Sequence, residues 1–306
     1  MSAITQELLN QIRTAMVAAF NRGLAVQNDD WMKVAKLIPS STASNTYAWL
    51  SQYPAFREWV GQRLHKTLKE TAMQVVNRLF ETTVDIPRTT IEDDIWASYL
   101  SPAEGVGISA NDHKNALVFN ALVAGFSSLC YDGQNFFDTD HPVYPNEDGT
   151  GTAATVSNMQ DGSAEPWFLL CTKRAAPPIF LQERIAPQFD AVTSVQSPNV
   201  FDFDKYSFGG RWRGEVAYGF WQCAFGSKAA LTEENFNAAY TAMMSVNGDG
   251  NRPLGVIADR LVVGPSNQAA AETLLKAITK ANGASNTNYN KVELLVSPWV
   301  RATPTA

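Results

Sequence analysis

Hydrophobic residues recur at helical spacing at the start of the chain. Residues 1–28 therefore predict one amphipathic helix, whose apolar positions are Leu8, Leu9, Ile12, Met16, Val17 and Phe20. Gly23 is expected to end this helix, because glycine favours helix termination. Two arrangements stay open: the helix packs on its own domain, or it forms an arm that packs on a neighbouring copy.

Strict alternation of apolar and polar positions marks the next element. Phe80, Val84 and Ile86 lie on one side of the pattern, which predicts a half-exposed strand that ends at Pro87. Residues 73–76 form a second β-prone run. A turn at residues 77–78 is expected to join the two strands into a long β-hairpin within residues 59–90.

Residues 91–128 favour helix. The acidic residues of Ile91–Asp94 suit the start of a helix, where the macrodipole stabilises negative charge. Apolar residues on almost all sides of residues 111–126 predict a helix that is buried on most of its faces. Pro102, Gly105 and Gly107 interrupt the pattern, so we expect a kink or two separate helices there.

The second half of the chain predicts a sheet followed by a small α/β layer. After the loop-rich residues 129–165, strands are expected at residues 167–170, 179–181 and 212–225. Residues 231–300 alternate helical and strand patterns. The pattern as a whole predicts an α+β fold.

Composition narrows the class of protein. A chain of 306 residues is long enough for about two domains. Its net charge of −6 argues against a dedicated nucleic-acid binder, because such proteins usually carry a basic face. The chain shows neither a signal peptide nor a run of ~18 apolar residues, so we expect a soluble protein made in the cytoplasm. Cys130, Cys171 and Cys223 are expected to be buried free thiols.

Charge is divided unevenly along the predicted hairpin. Residues 57–78 carry a net charge of +3, whereas residues 81–94 carry −4. Complementary charges of this kind set register and partner choice between copies of a protein. A solvated hairpin of mixed charge is the alternative interpretation. The candidate intersubunit residues are Arg63, Lys66, Lys69, Arg78, Glu92, Asp93 and Asp94.

One loop carries possible chemistry. Asp138, Asp140 and His141 lie within four residues, which suits a metal-assisted hydrolase as one hypothesis. The alternative is that the two aspartates cap turns through backbone amides. His65 and His113 show no further ligand pattern, and nucleophile-elbow and phosphate-loop motifs are missing from the sequence. The residues therefore predict no catalytic, cofactor-binding or metal-binding site.

Four stretches, in this order and at these distances, resemble the major head subunit of Mu-like transposable phages. They are Pro54–Gly61, Ile91–Asp94, Cys130–Val143 and Leu294–Trp299, and the resemblance covers roughly residues 45–300. Tyr218–Gln222 and Arg252–Gly255 add to the match.

The resemblance implies a structural protein with the Hong Kong 97-type phage capsid fold. In that fold, the expected parts are an N-terminal arm with a connecting segment (1–58), an extended β-hairpin loop (59–90), a peripheral domain with a long helix (91–230) and axial-domain material (231–306). The implied function is that of a major capsid protein without enzymatic activity or cofactors. Its copies are expected to form hexamers and pentamers of an icosahedral head, assembled in the host cytoplasm, around double-stranded DNA.

The resemblance also implies partners. The chain lacks the long charged N-terminal extension that some relatives use as a built-in scaffold, so a separate scaffold protein is expected. A portal, a decoration or minor capsid protein, and non-specifically packaged DNA are the other implied partners. No membrane partner is expected.

Overall fold

The computed structural model describes residues 4–26, 29–47, 73–175, 177–194, 198–280 and 282–301. The described residues form these α-helices: α1 (Gln6–Leu24), α2 (Arg88–Glu92), α3 (Leu100–Ala124), α4 (Pro198–Phe203), α5 (Glu233–Met244) and α6 (Gln268–Lys276). The first eight strands are β1 (Ala35–Pro39), β2 (Ser44–Tyr47), β3 (Met73–Val76), β4 (Arg78–Pro87), β5 (His141–Val143), β6 (Ala154–Val156), β7 (Met159–Gln160) and β8 (Trp167–Leu170). The remaining strands are β9 (Ile179–Val192), β10 (Lys205–Tyr218), β11 (Ala224–Ser227), β12 (Asn247–Gly248), β13 (Arg252–Pro253), β14 (Arg260–Val263) and β15 (Glu293–Val296).

A four-stranded sheet of order β1-β9-β10-β4 supports one half of the molecule. Its two central strands, β9 and β10, are 14 residues long each and run antiparallel. Their pairing shifts register around Trp212, as expected of a β-bulge, which increases local twist. Helices α1 and α3 pack on this sheet.

A five-stranded sheet of order β15-β14-β8-β11-β7 forms the other half. All four residues of β8 are buried, in keeping with a short continuous apolar run at the centre of a sheet. Helices α5 and α6 cover one face of this sheet through Phe236, Leu274 and Leu275. Strands β7, β8 and β11 of this sheet precede residues 230–231, where a domain boundary is expected, and β14 and β15 follow them.

Helix α1 packs on its own chain. Leu9, Ile12, Met16 and Phe20 are buried against Phe189 and other residues of α3, β4, β9 and β10. Each such side chain contributes roughly 1.5–3 kcal/mol relative to an exposed one. Of the two arrangements that the sequence left open, the structure shows the packed one, so the apolar face of α1 is already covered.

Helix α3 is continuous, and the predicted break at residues 102–107 is wrong. Pro102 is its third residue, within the first turn. Backbone N–H groups of the first turn have no intrahelical acceptor, so a proline there removes no hydrogen bond from the helix. Gly105 and Gly107 lie inside the helix without ending it. No helix among the described residues combines the length and the apolar character needed to cross a bilayer.

The glycines of α1 and α3 allow the two helices to cross closely. A Cβ atom on Gly107 would lie 2.1 Å from the carbonyl oxygen of Phe20. A Cβ atom on Gly23 would lie 1.9 Å from the carbonyl oxygen of Glu104. Gly23 was expected to end the first helix, but it lies within α1 and is needed for backbone contact instead.

The predicted hairpin between residues 73–76 and 80–86 is also wrong. Both runs are strands, but β3 pairs with β2, whereas β4 pairs with β10. Asn77, expected in a turn, is buried and accepts a hydrogen bond of 2.7 Å from Gln182. Its Nδ2 also donates to Ser40 Oγ at 2.9 Å, and these bonds hold the chain in place as it passes between two sheets.

Pairing of β2 with β3 brings two distant points of the chain together. The register joins Tyr47 to Met73, so the chain leaves this strand pair and returns to it at adjacent positions. Residues 48–72, which include 59–72 of the predicted hairpin, lie outside the described residues.

Two further expectations need correction. The acidic residues of Ile91–Asp94 lie at the end of α2 rather than at the start of a helix, since α2 ends at Glu92. The strand predicted over residues 212–225 is divided: β10 ends at Tyr218, a short 3₁₀ turn follows at Trp221–Cys223, and β11 begins at Ala224.

A buried ion pair joins α3 to the four-stranded sheet. Lys114 Nζ lies 2.6 Å from Glu183 Oε1, and both side chains are largely excluded from solvent. Trp212 Nε1 donates a second hydrogen bond of 2.7 Å to the same oxygen. Buried charges are tolerated only when they are paired and hydrogen-bonded, so this arrangement fixes α3 against β9 and β10.

Replacement of two glycines of α3 by alanine should have opposite effects on stability, because only one of the two lies at the crossing with α1. Gly107→Ala should destabilise the subunit by about 1–3 kcal/mol, because the new methyl group overlaps the backbone of α1. Gly105→Ala is the matched control: nothing lies within 4 Å of the new atom, so helix propensity should stabilise it by about 0.5–1 kcal/mol. Denaturant unfolding of the unassembled subunit measures both, and equal effects would contradict the crossing.

Candidate functional site

The loop that carries the possible chemistry follows α3 directly. Phe136 and Phe137 are buried and anchor it, and the backbone N–H of Phe137 donates to the carbonyl oxygen of Gly125 at 2.9 Å. The loop then enters β5, which pairs antiparallel with β6 and joins His141 to Val156. His141 is therefore placed by a strand pair and has no exposed surface.

His141 is held on both ring nitrogens. Its Nδ1 lies 2.7 Å from Asp132 Oδ2, and its Nε2 lies 3.2 Å from Asn158 Oδ1. The ring stacks on Trp221, with centroids 4.1 Å apart and an interplanar angle of 8°. The thiol of Cys130 donates to Asp132 Oδ1 at 3.0 Å. We call Cys130, Asp132, His141 and Asn158 the histidine cluster.

Asn158 extends the histidine cluster into the surrounding backbone. Its Nδ2 donates to the carbonyl oxygen of Phe136 at 2.8 Å, and its Oδ1 accepts from the N–H of Asp138 at 2.9 Å. Trp221 and Ala224 offer further carbonyl acceptors at 3.4 Å. The cluster thus ties the loop to the segment that leads into β11.

Burial and hydrogen bonding act in opposition on the acid of this cluster. Burial alone would raise the pKa of Asp132, but hydrogen bonds from His141 and Cys130 outweigh it and hold that pKa below its usual range. Burial raises the pKa of the Cys130 thiol well above its usual value, and the Asp132 carboxylate raises it further.

The ligating atoms of Cys130, Asp132 and His141 lie within 4.8 Å of one another, so we tested whether they suit a metal ion. A metal needs a thiolate and a ring nitrogen with a free lone pair. Here the thiol is a hydrogen-bond donor with a raised pKa, and both ring nitrogens contact protein oxygens. The cluster therefore fits a structural clamp and does not fit a metal centre.

The hydrolase hypothesis fails on geometry. Asp138 accepts from the backbone N–H of Asn135 at 3.1 Å and of Thr139 at 2.7 Å, as expected of a turn cap. Asp140 is exposed, and its hydrogen bond with Asp138 raises its pKa. His141 points to Asp132 instead, so the three predicted residues do not converge on one point. Asp132 and Asn158 belong to no short metal-ligand pattern, so the sequence alone does not mark them as partners of His141.

Two of the predicted intersubunit residues are already paired within the chain. Arg78 forms a salt bridge to Glu215, with its Nη2 3.1 Å from Glu215 Oε1. Glu92 pairs with Arg88 at 3.0 Å, one helical turn away. Neither pair is available to a neighbouring copy without being broken.

Asp93 and Asp94 are exposed at the end of α2. Asp94 adopts a left-handed backbone conformation, with φ of 58°, which presents both carboxylates beyond the helix. The basic candidates Arg63, Lys66 and Lys69 lie outside the described residues.

Sequence comparison identifies one family. The profile of the family described as "Mu-like prophage major head subunit gpT" matches residues 9–300. The "Major capsid protein" of Escherichia phage Mu is 38% identical over 303 residues, which covers 97% of this chain and 99% of that protein.

Structure comparison gives the same result. A chain from the "Procapsid of bacteriophage JBD30" is 43% identical and superposes with a TM-score of 0.85, covering 97% of this chain and all of that one. A chain from the JBD30 capsid "decorated with minor capsid protein trimers" is 33% identical with a TM-score of 0.76, over 92% of this chain and 93% of that one. These matches confirm the expected α+β phage capsid fold.

The histidine cluster makes a prediction about stability and pH. Asp132→Asn should reduce the free energy of unfolding at pH 7 by about 1–3 kcal/mol, because a charged acceptor is lost from a buried site. The folded pKa of Asp132 is depressed, so its contribution is present above the unfolded pKa of about 3.9 and is lost as pH falls through the folded pKa.

Urea unfolding at pH 7 and in the acid range tests this on the unassembled subunit. The gap between wild type and variant should be largest at neutral pH and should narrow in acid. Asp161→Asn is the control, since its side chain is exposed and should leave the unfolding midpoint unchanged. A gap that widens in acid would contradict the clamp.

Proposed function

The chain belongs to the family of Mu-like prophage major head subunits, and we propose that its copies close into the hexamers and pentamers of an icosahedral shell around double-stranded DNA. It is a structural protein of the phage head, a component of the virion, and not an enzyme. The observation that carries the proposal is the likeness of almost the whole chain to a procapsid subunit.

The architecture supports this role. In the proposal, the four-stranded sheet with α3 is the peripheral domain, and the five-stranded sheet with α5 and α6 is the axial domain. The main apolar faces are covered within one chain, so contacts between copies need only be modest and numerous. A net charge of −6 favours solubility of the free subunit before assembly.

Other partners follow by analogy. The JBD30 capsid carries minor capsid protein trimers, and we propose that a protein of this kind binds the assembled shell of this chain. A scaffold protein and a portal belong to the same proposal. DNA would be enclosed with weak, sequence-independent contacts, because an acidic chain offers few cations to phosphate groups.

The structure reduces the number of candidate residues for a charged contact between copies. Arg78 and Glu92 are engaged within the chain, whereas the carboxylates of Asp93 and Asp94 are exposed. We propose that these two acids face basic residues of segment 48–72 of a neighbouring copy, namely Arg63, Lys66 and Lys69. Exposed pairs of this kind contribute little energy each, but they select the register in which copies meet.

Charge reversal and rescue test this contact and the shell together. The wild-type chain, expressed with its scaffold, should yield closed particles in sedimentation and negative-stain microscopy. Lys66→Glu with Lys69→Glu should reduce particle yield about tenfold or more, because like charges then meet at every copy of a repeated contact. Adding Asp93→Lys and Asp94→Asn should restore part of that yield; asparagine tolerates the left-handed backbone at position 94.

Asp161→Lys with Glu234→Gln changes two exposed acids elsewhere in the chain and alters the net charge by the same amount, so it is the matched control and should not restore the yield. Normal yield from the double reversal would reject the pairing while leaving the shell intact. Failure of the wild-type chain to form particles would reject the shell itself.

A further inference from the structure

Cys171 and Cys223 lie opposite each other at one end of the neighbouring strands β8 and β11. Cys171 follows β8 and Cys223 precedes β11, one position beyond the paired residues Leu170 and Ala224. The backbone N–H of Cys171 donates to the carbonyl oxygen of Cys223 at 2.8 Å. Both side chains belong to the same hydrophobic cluster, so they lie on the same face of the sheet.

This placement suits a disulfide. Directly opposite residues of an antiparallel pair have Cα atoms about 4.5–5.5 Å apart. A disulfide requires Cα atoms about 4.4–6.8 Å apart, so the bond can form without moving the backbone far. The backbone hydrogen bond between the two residues and the shared hydrophobic cluster of their side chains place the two thiols on one face at opposite positions.

The two thiols differ in access and in acidity. Cys171 is 4% exposed and lines a cavity of about 630 Å³, whereas Cys223 has no exposed surface. The hydrogen bond with Cys223 lowers the pKa of Cys171 to about 7, although burial opposes it. The thiolate is the reactive form of cysteine, so the lowered pKa favours Cys171 over Cys223 as the attacking thiol.

The cavity is rich in cationic side chains. Four basic residues line it: Lys173, Arg174, Lys276 and Lys291. Two acids also line it, and both are engaged: Asp259 accepts from the backbone of Thr172 at 2.9 Å, and Glu293 pairs with Arg260 at 2.8 Å. The surplus of positive charge favours the approach of a small anionic molecule.

We propose that Cys171 and Cys223 are a redox-active dithiol that a small anionic disulfide, of the glutathione class, converts into an intramolecular disulfide. In the first step, the Cys171 thiolate attacks one sulfur of oxidised glutathione, forms a mixed disulfide and releases one glutathione thiolate. Cys223 then loses its proton and attacks the Cys171 sulfur, which forms the protein disulfide and releases the second glutathione thiolate. The two electrons lost by the cysteines reduce the oxidant.

The disulfide would join the end of β8 covalently to the start of β11 in the five-stranded sheet. Both cysteines stay reduced in a reducing cytoplasm, where the subunit is made, and become oxidised after the particle reaches an oxidising medium. Cys130 takes no part, because it donates to Asp132 within the histidine cluster and its thiol is poorly ionised.

Thiol counting on the folded wild-type chain tests the proposal directly. The chain is incubated with oxidised glutathione at pH 7.5, then denatured, alkylated with iodoacetamide and weighed by intact mass spectrometry. Three alkylated thiols per chain should fall to one. Non-reducing peptide mapping should link the peptides that contain Cys171 and Cys223, and the unfolding temperature should rise in the oxidised form.

Variants assign the two roles. Cys223→Ser should stop at the mixed disulfide and retain one glutathionyl group on Cys171, while Cys171→Ser should leave Cys223 unmodified. Cys130→Ser is the matched control and should still form the bond at the wild-type rate. Three free thiols after incubation of the folded wild type, or a bond that includes Cys130, would overturn the proposal.

Discussion

The packing of α3 between α1 and the four-stranded sheet is the constraint on which the rest of the structure depends. The close crossing at Gly107 places α1 on one side of α3, and the ion pair between Lys114 and Glu183 fixes the other side to the sheet. The side-chain oxygen of Asn115 accepts a hydrogen bond of 2.9 Å from the backbone N–H of Trp31. This bond holds the segment before β1 against α3. Each contact is specific in position, so α3 cannot slide or rotate without leaving a buried polar group unpaired.

From α3 the chain continues straight into the loop that contains the histidine cluster. That loop carries the residues that most resemble a catalytic motif, and its geometry shows why the resemblance misleads. A carboxylate, an imidazole and a thiol meet, but they hydrogen-bond to one another, and His141 has no exposed surface. The same residue types that can hold a metal here hold two chain segments together. The loop therefore stabilises the folded subunit.

Local pattern was enough to predict much of the fold. The amphipathic stripe of α1, the alternation in β4 and the apolar run of β8 all became the expected elements. Thr232 caps α5, with its Oγ1 accepting a hydrogen bond from Asn235 N at 3.2 Å, and serine or threonine at that position is itself a local signal. These elements depend on residue spacing alone, which a single sequence displays.

Predictions from local pattern were wrong where contacts with residues far apart in the chain determine the structure. Gly23 and Gly107 stay helical because each lies against the other helix, and spacing along the chain cannot show that contact. The runs on either side of Asn77 look like a hairpin, but they join different sheets, and Asn77 between them donates a hydrogen bond to Ser40 and accepts one from Gln182. Likewise, the partners of His141 were hidden because Asp132 and Asn158 are brought to it only by folding.

We propose that each subunit is a self-contained body and that residues 48–72, between β2 and β3, join it to its neighbours. A cryo-electron microscopy reconstruction of particles assembled from this chain tests it most directly. The account predicts α1 packed on α3 within each subunit, and density for residues 48–72 running from the β2–β3 pair onto an adjacent copy. Density that returns residues 48–72 onto their own subunit throughout the shell would contradict it.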